Sequence, residues 1–212
     1  MHVGVLGGTG PAGRGVGARF ALAGHEVLLG SRSPERAVAV AEELGLPNVK
    51  GGGNVDAASF GDVVVLAVPW EAAMSTAVEV ESATRGKVLL SMANAVAFIG
   101  GKPESVVPSS GSIALGIQAR LPTLRVVAAL HHVPAKSLQE THIDLDFDVL
   151  CCGDDHGALD RVMTLVGSVP GLRPIDAGSL HNASAIEALT PLLIALNKRY
   201  HTRTGVRIVG IT

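Results

Sequence analysis

Short apolar runs alternate with longer, mixed segments along this chain of 212 residues. The runs predict buried strands at residues 2–7, 26–30, 62–68, 87–91, 125–130, 147–152 and 172–176. The segments between them predict helices at residues 11–23, 34–44, 71–83, 112–120, 155–169 and 182–200. Such an alternation is typical of an α/β protein with a parallel sheet.

A glycine-rich loop joins the first predicted strand to the first predicted helix. It reads Gly8-Thr9-Gly10-Pro11-Ala12-Gly13. In such a loop, Gly8 permits a tight turn, Gly10 lets a phosphate approach the backbone, and Gly13 lets helix and strand pack closely. The start of the helix presents free N–H groups to the phosphates. The loop therefore predicts a dinucleotide-binding Rossmann fold, with an ordinary strand-to-helix turn as the alternative.

The residues after the second predicted strand favour NADP(H) over NAD(H). NAD-specific folds carry an acidic residue at this position, whereas this chain has Ser31-Arg32. Arg32 can donate a charged hydrogen bond to a 2′-phosphate, and Ser31 can donate another. Arg36 lies one helical turn beyond Arg32. A solvated pair of surface arginines is the alternative interpretation.

The chain is predicted to divide near Phe147, where the pattern changes. Residues 1–146 are interpreted as an NADP-binding domain with a Rossmann-like, doubly wound, mainly parallel sheet. Residues 147–212 are interpreted as a small helical C-terminal cap that forms the substrate domain. The connection at residues 94–112 is rich in Gly, Pro and Ser and follows the carboxyl end of a strand. Ligands of open parallel sheets usually bind at such ends.

Composition and charge exclude several classes of function. The formal net charge is -2 without any block of like charges, which argues against nucleic-acid binding. No apolar run reaches the roughly 18 residues of a membrane helix, and no signal peptide is visible, so a soluble cytoplasmic protein is expected. Cys151 and Cys152 are adjacent, and no set of residues has the spacing of metal ligands. No metal site is therefore predicted.

Several segments of the chain match motifs of a known family. They are Leu6-Gly7-Gly8-Thr9-Gly10 with Gly13, Gly30-Ser31-Arg32, Val68-Pro69-Trp70-Glu71, Ala129-Leu130-His131, Val133-Pro134-Ala135, Cys152-Gly153-Asp154-Asp155, the segment from Gly171 to Gly178, and Glu187-Ala188-Leu189-Thr190-Pro191. On these motifs the sequence resembles the NADPH-dependent reductases of the deazaflavin coenzyme F420 over nearly the whole chain. The first two motifs are common among Rossmann proteins, and the last three are much more specific.

The resemblance implies a homodimeric enzyme that exchanges a hydride between NADP(H) and coenzyme F420. The two ring systems would then stack in the cleft between the Rossmann domain and the cap. The resemblance places NADP(H) against Thr9, Ser31, Arg32, Arg36, Pro69 and Trp70, and the deazaflavin near His131, Val133, Pro134, Ala135 and Thr190. Val68 and Asn94 are further candidate cofactor-binding residues. Trp70 either forms a wall of the nicotinamide site or only anchors the next helix.

Two residues are the candidates for a direct role in the reaction. His131 ends a strand on the ligand side of the sheet and could hydrogen-bond a carbonyl of the acceptor ring. Thr190 precedes Pro191 within a long helix, where a kink would aim the helix at the cleft. The alternatives are a core histidine with a backbone partner and a kinked helix that serves packing alone.

The segment at residues 91–96, which includes Asn94, departs from the family pattern, as does Ala188, which stands in place of a serine. Both departures lie on the side of the second substrate, so two alternative functions stay open. One is an NADPH-dependent reductase of flavin or ferric iron, and the other is a non-catalytic NADP(H) sensor.

Overall fold

The computed structural model describes residues 1–211. Its strands are β1 (His2–Leu6), β2 (Glu26–Ser31), β3 (Val49–Gly53), β4 (Val63–Leu66), β5 (Val88–Ser91), β6 (Val96–Ile99), β7 (Lys102–Ser105), β8 (Arg125–Ala128), β9 (Phe147–Gly153) and β10 (Leu172–Asp176). Its α-helices are α1 (Pro11–Leu22), α2 (Pro34–Leu44), α3 (Asn54–Phe60), α4 (Trp70–Glu79), α5 (Glu81–Thr84), α6 (Ile113–Arg120), α7 (Ala135–Gln139), α8 (His156–Gly167) and α9 (Ala183–Tyr200). A short 3-10 turn at Leu180–Asn182 precedes α9.

The main sheet has eight strands in the order β10-β9-β8-β5-β4-β1-β2-β3. Every neighbouring pair is parallel except β8 and β9, which are antiparallel. The order reverses between β1 and β4, which creates a crevice at the carboxyl ends of these two strands. This architecture confirms the predicted doubly wound, Rossmann-like fold.

The central strands β1, β4 and β5 are mainly apolar because helices cover both faces of the sheet. In β4, Val63 and Val65 belong to one buried cluster, whereas Val64 and Leu66 belong to the cluster on the opposite face. Successive side chains of a strand point to opposite faces, so a run without polar residues is buried on both sides. This packing explains why the central strands are clear in the sequence.

The C-terminal third contributes both strands and helices. β9 pairs with β8, and β10 pairs with β9, so the sheet continues across the predicted boundary between residues 146 and 147. The helices of this third are α8, whose first turn is capped by the Asp155 side chain, and α9. The division into residues 1–146 and 147–212 remains a prediction.

Five strands and helices were not predicted from the sequence: β3, β6, β7, α3 and α7. The strand β3 contains Gly51, Gly52 and Gly53, and glycine disfavours strands unless packing requires it. A Cβ at Gly51 would lie 2.2 Å from the carbonyl carbon of Ala37, so the close approach of α2 requires this glycine. The connection at residues 94–112 also contains a hairpin of β6 and β7, and β7 packs against α9.

None of the helices in residues 1–211 has the length and hydropathy needed to cross a membrane. The same residues contain no group of three or more His, Cys, Asp or Glu side chains arranged to hold a metal ion. Both cysteines are buried and free.

Candidate functional site

The glycine loop lies at the crevice between β1 and β4, and its glycines play different parts in the turn and its packing. Gly7, with φ of 75°, makes the tight turn, and its carbonyl accepts a hydrogen bond from the N–H of Gly10 at 3.0 Å. The turn therefore depends on Gly7, whereas the sequence analysis had assigned it to Gly8. A Cβ at Gly8 would lie 2.7 Å from Cβ of Leu29, and one at Gly13 would lie 2.4 Å from the Gly7 carbonyl oxygen. Both glycines thus allow close packing inside the fold.

A first pocket of about 350 Å³ opens against this loop. It is lined by Gly7, Thr9, Gly10, Pro11, Ser31, Arg32, Ser33, Arg36, Asn54, Ala67, Val68, Pro69, Ala72 and Thr76. These residues come from the loops that follow β1, β2 and β4, from the end of β2, and from the helices α1, α2, α3 and α4. Gly10 is the glycine of the loop whose missing Cβ leaves room on the pocket side, since its nearest neighbour would be 3.4 Å away. The pocket therefore suits a group that approaches the backbone closely.

The part of the first pocket that is lined by Arg32 and Arg36 has the side-chain chemistry of an anion-binding site. Arg32 and Arg36 are exposed there, and neither side chain forms an ion pair or hydrogen bond with any residue between 1 and 211. No acidic side chain is among the lining residues of the described chain. Ser31 lies beside them, with its Oγ accepting a hydrogen bond from the Ser33 N–H at 3.2 Å. Two free guanidinium groups with serine hydroxyls match the chemistry of a phosphate monoester.

Asn54 belongs to the first pocket but was not predicted. It begins α3, it is buried, and its Oδ1 accepts a hydrogen bond from the Gly7 N–H at 3.4 Å. The side chain therefore supports the turn of the glycine loop from the neighbouring β3–α3 connection. The available signal was an asparagine directly after three glycines, a combination that often marks the start of a helix.

Trp70 and the two residues before it occupy different surroundings. Val68 and Pro69 line the first pocket, whereas Trp70 does not. Trp70 is the first residue of α4, and its Nε1 is buried without a hydrogen-bond partner among residues 1–211. Its position therefore agrees with an anchor for α4, and the proposed wall of a nicotinamide site remains a prediction.

A second pocket of about 450 Å³ lies on the other side of the start of α1. Its lining comes from the start of α1, the ends of β5 and β8, α7, α9 and the segment after α9. The lining residues are Ala12, Met92, Asn94, Leu130, His131, His132, Val133, Pro134, Ala135, Lys136, Thr190, Leu193, Ile194, Asn197, Arg203 and Thr204. The surface is mostly apolar with a few convergent polar groups, as in many sites for small molecules.

A hydrogen-bond network joins three elements at the wall of this pocket. Nδ2 of Asn94 donates to the His131 carbonyl at 3.0 Å. The Thr190 hydroxyl lies 2.8 Å from Oδ1 of Asn94 and 3.0 Å from the same carbonyl, so it can donate to either. Leu130 has φ of 68°, a conformation that costs a non-glycine residue about 1–3 kcal/mol. The two donors on the next carbonyl help to hold this strained turn.

The side chains of His131 and His132 are buried beneath the second pocket. Both ring nitrogens of His131 are closed to solvent and have no partner among residues 1–211. Burial, together with the neighbouring His132, lowers the pKa of His131 to about 3. The pKa of His132 is also lowered by burial, although its hydrogen bond with the Asp148 carbonyl acts in the opposite direction. Both rings are therefore neutral near pH 7.

Val133, Pro134 and Ala135 line the second pocket from a segment that α1 holds in place. Arg19 of α1 is buried and donates hydrogen bonds to four carbonyls of this segment, those of Ser137, Leu138, Glu140 and Ile143. A Cβ at Gly15 would lie 2.8 Å from Cβ of Leu138, so the two helices are in close contact. The helix that starts at the glycine loop therefore also supports the second pocket.

Known proteins resemble the chain over both pockets. Residues 2–95 match the profile of a family described as NADP oxidoreductase, coenzyme F420-dependent. Over 222 aligned residues the chain is 36% identical to the F420-dependent NADP reductase of Methanocaldococcus jannaschii and 37% identical to that of Methanothermobacter marburgensis. Both alignments cover 100% of this chain and 99% of the relative. A structure from Arthrobacter sp. FB24, assigned as an F420-dependent NADP-reductase, has a TM-score of 0.85 at 28% identity and covers 98% of each chain.

Proposed function

The chain belongs to the family of F420-dependent NADP reductases, and from this premise we propose that it exchanges a hydride between NADP(H) and coenzyme F420 across its two pockets. The observation that carries the proposal is that the two pockets lie on the two sides of the start of α1. Pro11 lines the first pocket and the adjacent Ala12 lines the second, so the start of α1 separates them. Two ring systems entering from the two sides would meet beside this residue pair.

NADP(H) occupies the first pocket in this proposal. Its diphosphate lies against Thr9, Gly10 and the start of α1, where free N–H groups favour negative charge. Its 2′-phosphate lies between Arg32 and Arg36, and its nicotinamide end points toward Val68 and Pro69. Gly8 and Gly13 act indirectly, since they pack inside the fold and shape the loop.

The deazaflavin of coenzyme F420 occupies the second pocket. The nicotinamide and the deazaflavin supply the redox chemistry themselves, so no protein nucleophile is required. The chain must hold the reacting carbons about 3–3.5 Å apart and keep water away. Apolar side chains such as Met92, Val133 and Ile194 exclude water, and Asn94 with Thr190 offers polar groups at one side.

The two candidates for a direct role act differently in this proposal. The Thr190 hydroxyl orients the pocket wall through Asn94 and the His131 carbonyl. A neutral His131 ring can donate one hydrogen bond to a carbonyl of the acceptor. Because both ring nitrogens are closed to solvent, this contact needs a rotation of the ring or a shift of the wall when the substrate binds.

The protein is further proposed to be a cytoplasmic homodimer. Leu192 is 55% exposed and Tyr200 is 64% exposed on α9, and Val209 in the following segment is 95% exposed. Residues 188, 192, 196 and 200 recur at the helical spacing of four, so they form one stripe. Two such stripes could pack together. Free cysteines such as Cys151 and Cys152 are usual in a reducing compartment.

The test is oxidation of NADPH by the purified protein in the presence of oxidised coenzyme F420, followed at the absorption band of the deazaflavin. NADH, FMN, FAD and ferric iron serve as alternative substrates. We expect turnover with NADPH and coenzyme F420 only. Faster turnover with a flavin or with ferric iron would replace the proposed acceptor, and tight NADPH binding without turnover on any acceptor would indicate a sensor.

A further inference from the structure

Glu187 is a buried carboxylate on α9 that the proposed reaction does not use. Its side chain is 6% exposed. Oε2 accepts a hydrogen bond from the Ile113 N–H at 2.9 Å, and Oε1 accepts one from the Ala114 N–H at 3.2 Å. The first backbone N–H groups of a helix have no partner within the helix. Glu187 therefore satisfies the start of α6 from a different element.

The same turn of α9 also carries Thr190, three residues later. Thr190 binds Asn94, which starts the connection at residues 94–112, whereas Glu187 binds the two residues directly after it. One turn of α9 thus holds both ends of the connection that contains the hairpin of β6 and β7. Side chains three residues apart lie on the same face of a helix, so both contacts orient that face.

Pro191 weakens the backbone hydrogen bonding of this turn of α9, so the position of the turn depends on the side chains of Glu187 and Thr190. Proline has no N–H, so the carbonyl of Glu187, four residues earlier, lacks its usual partner in the helix. The helix nevertheless continues through Pro191 to Tyr200. A turn that has lost one internal hydrogen bond is more easily displaced, and the anchors at Glu187 and Thr190 oppose that displacement.

We propose that Glu187 is a positioning residue, which rests on the proposed function of the second pocket. Its ionised carboxylate, by holding the start of α6, fixes the turn of α9 that presents Thr190, Leu193 and Ile194 to the acceptor. Loss of the carboxylate loosens this wall and weakens binding of the second substrate, while the first pocket keeps its shape because no part of α9 lines it.

The charge of Glu187 changes within the working range of pH. Burial raises its pKa to about 7, although its two backbone hydrogen bonds act to lower it. Cys152 of β9 is the titratable group that interacts with Glu187. Burial, and to a lesser extent the charge of Glu187, raises the pKa of the Cys152 thiol to about 12, so this thiol stays neutral. His181 before α9 and Lys102 and Glu104 of β7 are exposed and make no hydrogen bond with Glu187.

The experiment compares Glu187→Gln with the wild type from pH 5.5 to 8.5. The KM for coenzyme F420 and the Kd for NADPH are measured for both proteins, and their ratios cancel any titration of the substrates. We expect the KM of the variant divided by the KM of the wild type to be near one at low pH, where Glu187 is protonated in the wild type. This ratio should rise to about ten above pH 7. The Kd ratio should stay near one at every pH, and kcat should change little.

Two further variants separate positioning from general damage to the fold. Glu187→Asp keeps a carboxylate and should restore part of the KM and its dependence on pH. Glu79→Gln removes an exposed charge on α4 and should match the wild type. A KM ratio that is the same at every pH, or a Kd for NADPH that rises together with the KM, would overturn the positioning role.

Hydrogen exchange at the backbone N–H groups of Ile113 and Ala114 gives a measurement that does not depend on activity. We expect faster exchange in Glu187→Gln than in the wild type, with the difference extending to residues 94–112. If the wild type reduces no coenzyme F420, the proposed function fails, and the exchange still decides about Glu187. Equal protection in both proteins would show that the carboxylate does not hold this region.

Discussion

Single side chains define the two pockets in different ways. In the first pocket, Arg32 and Arg36 are exposed and unpaired within residues 1–211, so their charges are available to a ligand. In the second pocket, Asn94 and Thr190 are already engaged, since they bind each other and the His131 carbonyl. Substitutions in the first pocket should therefore remove ligand contacts, whereas those in the second should disturb the wall.

Substitution of Arg32 by alanine should weaken NADPH binding about tenfold or more, because a charged hydrogen bond contributes about 1.5–3 kcal/mol. Binding of NADH, which lacks the 2′-phosphate, should change little. Fluorescence titration with both nucleotides measures the effect, and Arg85→Ala, an exposed arginine outside both pockets, is the matched control. Equal losses for NADPH and NADH would contradict the assignment.

Replacement of Thr190 by valine should raise the KM for coenzyme F420 about fivefold, since the variant keeps the shape of the side chain and loses a hydrogen bond of about 1 kcal/mol. The Kd for NADPH should be unchanged. Steady-state kinetics with each substrate varied in turn distinguishes the two effects. Thr123→Val, at an exposed position outside the pockets, is the control, and a change in NADPH binding alone would count against the second pocket.

At the scale of elements, α1 is the part that both pockets share. Its N-terminus lies at the first pocket, and its middle contacts α7, which lines the second. Packed interiors respond to a single added methyl group because they contain few voids. A small change within α1 should therefore affect the acceptor site over a distance.

The variant Gly15→Ala tests this contact. The new Cβ would lie 2.8 Å from Cβ of Leu138, and we expect it to lower the free energy of unfolding by about 1–3 kcal/mol. The KM for coenzyme F420 should rise as α7 moves. Urea unfolding and kinetics measure the two quantities. Gly157→Ala in α8 is the control, since its nearest neighbour would be 3.5 Å away; similar destabilisation of both variants would argue against a specific contact.

The segment after α9 is held by an ion pair between Arg173 of β10 and the buried Asp148 of β9, because Arg173 donates to the Ile208 carbonyl and the Ile208 N–H donates to Asp148. A hydrogen bond from Arg173, opposed by burial, lowers the pKa of Asp148 to about 2, and Asp148 also accepts the Ile208 N–H. A carboxylate whose pKa is lower in the folded state stabilises the protein above its unfolded pKa near 4. That stabilisation is lost as the pH falls from about 4 through 2.

Thermal unfolding of the wild type and Asp148→Asn between pH 6 and pH 2 tests this prediction. The wild type should have the higher Tm at pH 6, and the difference should shrink as the pH falls through the window. Asp160→Asn, at an exposed position on α8, should show no such trend. A Tm difference that is constant from pH 6 to pH 2 would mean that the ionisation of Asp148 does not stabilise this segment.

At the scale of the whole molecule, the outer stripe of α9 is the surface most relevant to assembly. In light scattering at micromolar concentration, we expect the wild type to be a dimer and Leu192→Glu to be a monomer, because a charge would be buried between the stripes. Leu22→Glu is a matched control, since Leu22 on α1 is also 55% exposed. A monomeric wild type would contradict the proposed homodimer.

The arrangement of the whole sheet was accessible from the sequence because its central strands are buried on both faces. The strand β4 reads as an unbroken apolar run, and the glycine loop directly follows β1. The second strand was also predicted from its apolar run, and the charged residue Arg32 marks its end. Weak elements escaped prediction: β3 is largely glycine, and α7 is a short helix whose position depends on Arg19 in a distant part of the chain.

The sequence by itself determined the class of fold and the place of the glycine loop, and it predicted the use of NADP(H), because each of these inferences depends on residues that are close together in the chain. Tertiary structure decided that Gly7 makes the turn, that Asn54 supports it, and that Thr190, Asn94 and the His131 carbonyl meet in one network. It also decided that Glu187 accepts a hydrogen bond from Ile113 at the start of α6, although the two residues are 74 positions apart in the chain. Such contacts arise only when helices pack against the sheet, and no local pattern records which distant backbone group a buried side chain will find.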